Sequence, residues 1–374
     1  MLKCRPKRLQ RYLKLTKLGL YVHIPFCKKK CDYCDFYSVN FDDQVADKYV
    51  ETVITEMLAQ PKLTADTLYF GGGTPSVLGA KRLIKILKIA QEKFDLSGEI
   101  TLEANPNSVN YDMLTELYQG GFNRVSFGVQ SGVDEELVAL GRTHTSKDAE
   151  IAVNHAKSAG FANISVDLML GIPKQTSKSL ETSLKFMQEL VVKHISAYML
   201  KIEQNTPFYR QNIAINDDLM ADMYLKTAEH LTSYGMEHYE ISNFAAKGHK
   251  SRHNLKYWKS EQYLGFGPSA HSYYNGTRYC HNRDLGEYIE TAGKNYVETS
   301  GEDSFFDYAM LRLRLSEGLD LAKAREKFPI DIKQIINRAG KFEKAQLLEI
   351  KGDTIKFTPR GFLLSNTLIV EILG

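Results

Sequence analysis

Leu20-Tyr21-Val22-His23-Ile24-Pro25-Phe26-Cys27-Lys28-Lys29-Lys30-Cys31-Asp32-Tyr33-Cys34 reads as a strand that runs directly into a loop of three cysteines. Leu20, Val22 and Ile24 share one side of the extended chain, and Tyr21 and His23 share the other. Five further strand-like runs follow: Thr67–Phe70, Glu99–Ala104, Arg124–Gln130, Asn163–Leu170 and His194–Leu200. Their starts lie 25 to 47 residues apart, which suits repeated strand–helix units and not hairpins. The stretches between them read as helices, as where Leu83, Leu87, Ala90 and Phe94 recur with helical spacing among lysines. Six parallel units are too few to close an eight-unit barrel. The sequence therefore predicts an α/β fold built on a partial (β/α)6 barrel over residues 19–229.

Parity inside these runs orients them. Ile100 and Leu102 alternate with Thr101 and Glu103. Val125, Phe127 and Val129 alternate with Ser126, Gly128 and Gln130, and Ile164, Val166, Leu168 and Leu170 with Ser165, Asp167 and Met169. An outer face covered by helices takes the aliphatic set, so the polar set points inward. Tyr21, Glu103, Gln130 and Asp167 are thereby expected to converge on one cavity near the C-terminal ends of the strands, where barrel proteins place their chemistry.

Composition limits the alternatives. With 374 residues, 43% hydrophobic and 25% charged, the chain has the profile of a soluble globular protein, and no run approaches the length of a membrane span. A net charge of +3 gives little overall attraction to nucleic acid. Five cysteines without a signal peptide point to the cytosol. Residues 1–18 form a basic leader, readable as a frayed extension or as an arm for an anionic surface. Residues 230–300 are rich in aromatics and hold six of the ten histidines up to His281, and they are expected to pack on the barrel as an irregular segment. Residues 301–374 read as a small winged-helix-like domain. Its helices fall at Tyr308–Leu315, Leu321–Phe328 and Arg360–Leu373, with a hairpin turning at Lys351-Gly352-Asp353. Such a domain either packs or binds DNA, and the mixed charges here favour packing.

Cys27, Cys31 and Cys34 are the strongest chemical signal. Three thiolates within eight residues can hold one side of a metal centre. Structural zinc takes four ligands, often as two C-x2-C pairs, and no second pair exists; Cys4 and Cys280 stand alone. Three ligands suit a 4Fe–4S cluster with one iron left open, while zinc remains the alternative on spacing alone. Gly71-Gly72-Gly73-Thr74-Pro75 closes the second strand, as a tight turn or as a backbone cradle for a ligand.

The C-x3-C-x2-C loop, with the Gly-rich segment one unit later, resembles the signature of radical S-adenosylmethionine (SAM) proteins. Tyr21-Val-His-Ile-Pro-Phe-Cys27, Gly128-Val-Gln-Ser131, Leu140-Gly-Arg-Thr-His144, Asp167-Leu-Met-Leu-Gly-Ile-Pro173 and Gly265-Phe-Gly-Pro-Ser-Ala-His271 resemble the oxygen-independent coproporphyrinogen III oxidase family from about residue 19 to the end. The resemblance implies a 4Fe–4S cluster on Cys27, Cys31 and Cys34, and SAM held by Tyr21, Tyr33, Gly72, Gly73, Thr74, Glu103, Gln130, Arg142 and Asp167. Whether one SAM or two is bound stays open.

Two departures refine the family. The oxidases carry a further cysteine two residues after the third, where this chain has Phe36. His253-Asn-Leu-Lys-Tyr257-Trp258 is similar to the HNxxYW motif of HemW-type heme chaperones, and Tyr239-Glu-Ile-Ser-Asn-Phe244 also resembles that branch. The resemblance implies heme as a ligand, with an exposed His253 on its iron, Tyr257 and Trp258 against the macrocycle and Lys256 near a propionate. Cys280, His249 and His281 are further candidate ligands. The same residues read otherwise as a loop cap and core aromatics. The expected function is a heme chaperone that passes heme to an acceptor protein, such as a membrane respiratory protein. The alternative is the oxidase itself, which would oxidatively decarboxylate propionates to vinyls. Modification of nucleic acid is disfavoured by the charge. A homodimer and peripheral membrane contact are compatible with this reading.

Overall fold

The computed structural model describes residues 17–300 and 304–374. Cys4 and all but the last two residues of the basic leader lie outside the described residues. Six strands carry the fold: β1 (Leu18–Ile24), β2 (Ala65–Gly72), β3 (Glu99–Ala104), β4 (Arg124–Gln130), β5 (Asn163–Leu170) and β6 (His194–Met199). They lie side by side in sequence order, and every neighbouring pair is parallel. This is the partial barrel that the spacing predicts.

The helices between the strands cover the outer face. Among them, α1 (Asp43–Ala59) and α2 (Ala80–Phe94) follow β1 and β2, α3 (Tyr111–Gln119) and α4 (Ser146–Ala159) lie between β3 and β5, and α5 (Ser177–Glu189) precedes β6. In α2, Leu83, Leu87, Ala90 and Phe94 are all fully buried. Each large apolar side chain removed from water in this way stabilises the fold by about 1.5–3 kcal/mol. The aliphatic members of the strands, such as Leu20, Val22, Phe127 and Val166, are likewise at 0% exposure beneath the helices.

Residues 230–300 are not an irregular layer. Past α6 (Asp217–Ser233), β7 (Glu237–Glu240) and β8 (Asn243–Ala245) add antiparallel strands beyond β6. After α7 (Arg252–Trp258), β9 (Tyr263–Phe266) pairs in parallel with β1 on the opposite edge. An antiparallel ribbon of β10 (His271–Tyr274), β11 (Thr277–His281) and β12 (Tyr296–Ser300) extends that edge, giving one sheet of twelve strands. These strands have three to five residues each, too short for alternation to stand out in the sequence.

The C-terminal residues form a separate three-stranded antiparallel sheet of β13 (Leu319–Asp320), β14 (Leu348–Lys351) and β15 (Thr354–Phe357), with β15 central. It packs with α8 (Phe305–Arg312), α9 (Ile332–Lys344) and α10 (Ser365–Leu373), an arrangement of the expected winged-helix kind. The hairpin turns at Gly352 (φ 60°), as its sequence implies. The single last helix expected over Arg360–Leu373 is instead two pieces, Pro359–Leu363 and Ser365–Leu373. No helix among the described residues is long and apolar enough to cross a membrane.

Candidate functional site

The cysteine loop leaves the C-terminal end of β1 and is tied down on both sides. The Asp32 amide donates to Leu140 O at 3.4 Å, and the Phe208 amide donates to Asp32 O at 3.1 Å. Phe26–Cys27 pairs with Val39–Asn40, which returns the chain against its own start. Cys27 is buried, and Cys31 and Cys34 are half-buried, all three as free thiols. Burial pushes the Cys34 thiol up, and its neighbours Cys31 and Cys27 act in the same direction.

Residues that follow or end β2, β3 and β4 close around this loop. The Thr74 hydroxyl lies 3.5 Å from Cys27 Sγ and accepts from Asn105 Nδ2 at 3.2 Å. Arg142 Nη1 donates to Cys31 Sγ at 3.4 Å, while its Nη2 donates to Asn105 Oδ1 at 2.7 Å and Gly128 O at 2.6 Å. A cation held this way beside a thiolate ligand offsets its charge. Gly73 fits because it lacks a side chain: a Cβ there would sit 2.6 Å from Phe26 O and 3.1 Å from Cys27 Sγ. Gly72, at φ 116°, would drive a Cβ to 2.8 Å from the His23 ring.

Beneath the loop, the polar set lines the barrel as its parity requires. Tyr69 donates to Glu103 Oε1 at 2.6 Å, and the Gly72 amide donates to Glu103 Oε2 at 3.3 Å. Removal from water raises Glu103 to about 7, with the Asp167 carboxylate adding to the rise. Asp167 is raised to about 6 by burial, against the hydroxyls of Ser196 and Ser126 and the Arg142 charge, which pull it down. Tyr21 hydrogen-bonds His23 Nδ1 at 3.1 Å, and His23 Nε2 pairs with Tyr37 O at 3.0 Å. Tyr33 stands within reach of the charges of Arg142, Cys31, Cys34 and Asp167, and burial raises its hydroxyl. Gln130, at φ 71°, keeps its side-chain oxygen buried without a hydrogen-bond partner.

This arrangement fits the implied groups. Among the described residues no three His, Cys, Asp or Glu side chains are drawn together into a ready-made metal site. A 4Fe–4S cluster takes three thiolates and leaves one iron open, which the three cysteines of this loop can supply. The buried acceptor of Gln130, the glycine cradle and two buried carboxylates, close enough for Asp167 to raise Glu103, suit a ligand with amino and hydroxyl donors. Asn105, Tyr69, Ser126 and Ser196 join the site without having been singled out in the sequence. Their inward parity was the available signal for Tyr69 and Ser126.

A cavity of about 390 Å³ runs from Tyr21, Gly72 and Glu103 to a mouth bounded by Phe36, His271 and Arg283. Phe36 is 67% exposed there.

The HNxxYW segment departs from expectation. His253 is not exposed but wholly buried. Its Nδ1 pairs with Thr67 Oγ1 at 2.8 Å, its Nε2 with the Tyr257 hydroxyl at 2.7 Å, and its amide donates to Glu99 Oε1 at 3.1 Å. Thr67 and Glu99 lie toward the N-terminal ends of their strands, so α7 plugs the barrel from below. Lys256 is buried too, with Nζ 2.8 Å from Asp66 Oδ1 and 2.9 Å from Lys17 O, which occupies the amine expected near a propionate. The physical reason is that Gly19 leaves room at the base of β1: a Cβ there would meet Lys256 at 2.9 Å and His253 at 3.3 Å. Of the other candidates, His281 has both ring nitrogens engaged, by Asn295 and Glu56, and His249 pairs with Asn163. Cys280 is half-buried on β11.

Residues 21–187 match the radical SAM superfamily, and residues 300–364 match the HemN C-terminal domain. The fold is similar to that of coproporphyrinogen III oxidase (HemN) from Escherichia coli, with a TM-score of 0.83 over 99% of this chain and 93% of that one, at 22% identity. Partial barrel, cysteine loop and C-terminal domain together define a radical SAM protein of the HemN-like class. Within that class the chain is 35% identical to the heme chaperone HemW of Bacillus subtilis (strain 168), over 95% of this chain and 98% of the relative. It is 34% identical to the heme chaperone HemW of Lactococcus lactis over 94% and 96%, and 36% identical to that of Escherichia coli (strain K12) over 82% and 84%. The chain belongs to the HemW family.

Proposed function

We propose that this protein is a heme chaperone: it binds heme, holds it at the mouth of the barrel and delivers it to an acceptor protein. The observation that carries this reading is its likeness to HemW chaperones over nearly the whole chain. Phe36 supports it. Where the oxidases keep a further cysteine, this chain presents an exposed aromatic ring at the cavity mouth.

Cys27, Cys31 and Cys34 would hold a 4Fe–4S cluster, and Tyr21, Tyr33, Gly72, Gly73, Thr74, Glu103, Gln130, Arg142 and Asp167 would surround SAM. When bound, the cluster offers an open iron and one electron to the sulfonium of SAM. The chain's own part is to bind and orient. Gly72 and Gly73 let the backbone approach, Glu103 and Asp167 accept hydrogen bonds from ligand donors, and Arg142 steadies both the Cys31 thiolate and Asn105. We infer a cytoplasmic location from the sparse cysteine usage, and a membrane-bound respiratory protein as the acceptor.

Two assays test the reading together. Heme-loaded protein mixed with a heme-free acceptor should give up its heme to the acceptor. The same protein, with cluster, SAM and reductant, should form no porphyrinogen product from coproporphyrinogen III. Product formation without heme transfer would establish the oxidase instead.

A further inference from the structure

Heme iron needs an accessible imidazole or thiolate, a flat apolar contact and a cation for its propionates. Of the ten histidines, His271 is the only one that is exposed. His23, His253 and His281 each have both ring nitrogens engaged, and His144, His194 and His249 each have one. His238 stacks on Phe244 at 4.2 Å inside the fold. His271 instead opens β10 on the wall of the barrel cavity, and Arg283 and Phe36 bound the same mouth.

The surroundings of His271 suit iron. Its directly opposed residue on β11 is Cys280, a free thiol, and opposed residues of an antiparallel pair project from the same face. Partial removal from water beside the cavity wall and the nearby charges of Arg283 and Arg278 lower its protonation, which keeps the lone pair available near neutral pH. The Arg283 side chain is 61% exposed, and its ion pair with Asp35 is long, at 3.7 Å. Its guanidinium therefore has donors facing water. The Phe36 ring faces water as well.

We propose that His271, and not His253, supplies the axial nitrogen to heme iron, with Arg283 receiving a propionate and Phe36 packing on the macrocycle. This assignment rests on the heme-chaperone reading. It places heme at an open rim, where an acceptor can reach it without unfolding the barrel. It also sets heme at one end of the cavity whose other end holds Glu103 and Gly72.

Hemin titrated into anaerobically reconstituted protein, followed by the Soret band, tests the assignment. His271→Ala is expected to weaken binding about tenfold or more, as loss of one good contact does. Free imidazole should restore the lost spectrum. Arg283→Ala should weaken binding of hemin but leave hemin dimethyl ester, whose propionates are blocked, bound as before. If His271→Ala keeps the wild-type affinity and spectrum, or if Cys280→Ser alone abolishes the spectrum, the assignment is overturned while the chaperone reading survives. If the wild-type protein with an intact cluster shows no saturable hemin binding, the chaperone reading fails and the assignment falls with it.

Discussion

The Tyr69 hydroxyl donates to Glu103 Oε1 at 2.6 Å, across the interior from one strand to the next. That bond and the Gly72 amide favour the ionised carboxylate, yet burial and Asp167 outweigh them and hold Glu103 at about 7. Because this value is raised above the unfolded one, the folded state binds the extra proton between the ordinary carboxylate range and about 7. Stability from this group is therefore fully present at low pH and is lost as pH rises through about 7. SAM, whose donors want the carboxylate, should bind more tightly over the same rise. Thermal unfolding of the apoprotein and SAM titrations from pH 5 to 8 should run in opposite directions. Glu103→Gln should make the stability profile shallower and leave the part that Asp167, raised to about 6, contributes, and Tyr69→Phe should move the SAM transition to higher pH.

Arg142 donates to the sulfur of Cys31, so it stabilises electron density on that proposed ligand. Reducing the cluster adds negative charge, which a nearby cation favours. Arg142→Met should shift the midpoint potential of the reconstituted cluster to more negative values while iron content stays near that of the wild type. Potentiometry with iron quantitation checks both. Cys31→Ala, by contrast, should lose most of its cluster iron.

The barrel and its polar interior were legible because strand parity and helical spacing follow directly from burial. Tyr21 and Glu103 face the cavity, and Asp167 is buried on the inward set of its strand, for the reason that Leu20, Leu102 and Val166 face the helices. The cysteine loop stood out by its spacing, which left zinc as the alternative, and the family resemblance favoured a cluster over zinc. What was not legible depended on contacts distant in sequence. His253 reads as an exposed ligand until Thr67, 186 residues away, is seen to bond it. The three- to five-residue strands after β6 pair with edges that no local pattern announces. His271 lay inside a recognised motif, but its exposure follows from the ribbon that carries it.

Gly73 makes a sharper test of the cluster cradle than the cysteines themselves. A methyl group there would meet the Phe26 carbonyl at 2.6 Å and both the Ile24 carbonyl and Cys27 Sγ at 3.1 Å, and none of these is the far end of a flexible chain. Gly73→Ala should destabilise the fold by about 1–3 kcal/mol, as overpacking does. It should also reduce cluster incorporation, because one of the crowded groups is the proposed ligand Cys27. Chemical denaturation of the apoprotein and the visible absorbance after reconstitution measure the two effects separately.

The plug at the base of the barrel predicts a stability phenotype for the HNxxYW segment. His253→Ala strips partners from Thr67 Oγ1 and the Tyr257 hydroxyl in a dry site. Leaving such buried groups unsatisfied should cost about 2–3 kcal/mol. Glu99 accepts from the His253 amide and pairs with buried Arg124 at 3.3 Å, so Glu99→Gln should cost about 3–5 kcal/mol by stranding the guanidinium. Both variants should unfold at lower denaturant. If His253 acts through the plug, its loss should weaken hemin binding less than His271→Ala and in proportion to the loss of folded protein. Hemin titrations without denaturant, normalised to the folded fraction of each variant measured by circular dichroism, separate a destabilised barrel from a missing ligand. Undiminished stability in His253→Ala with hemin binding abolished would return His253 to the iron.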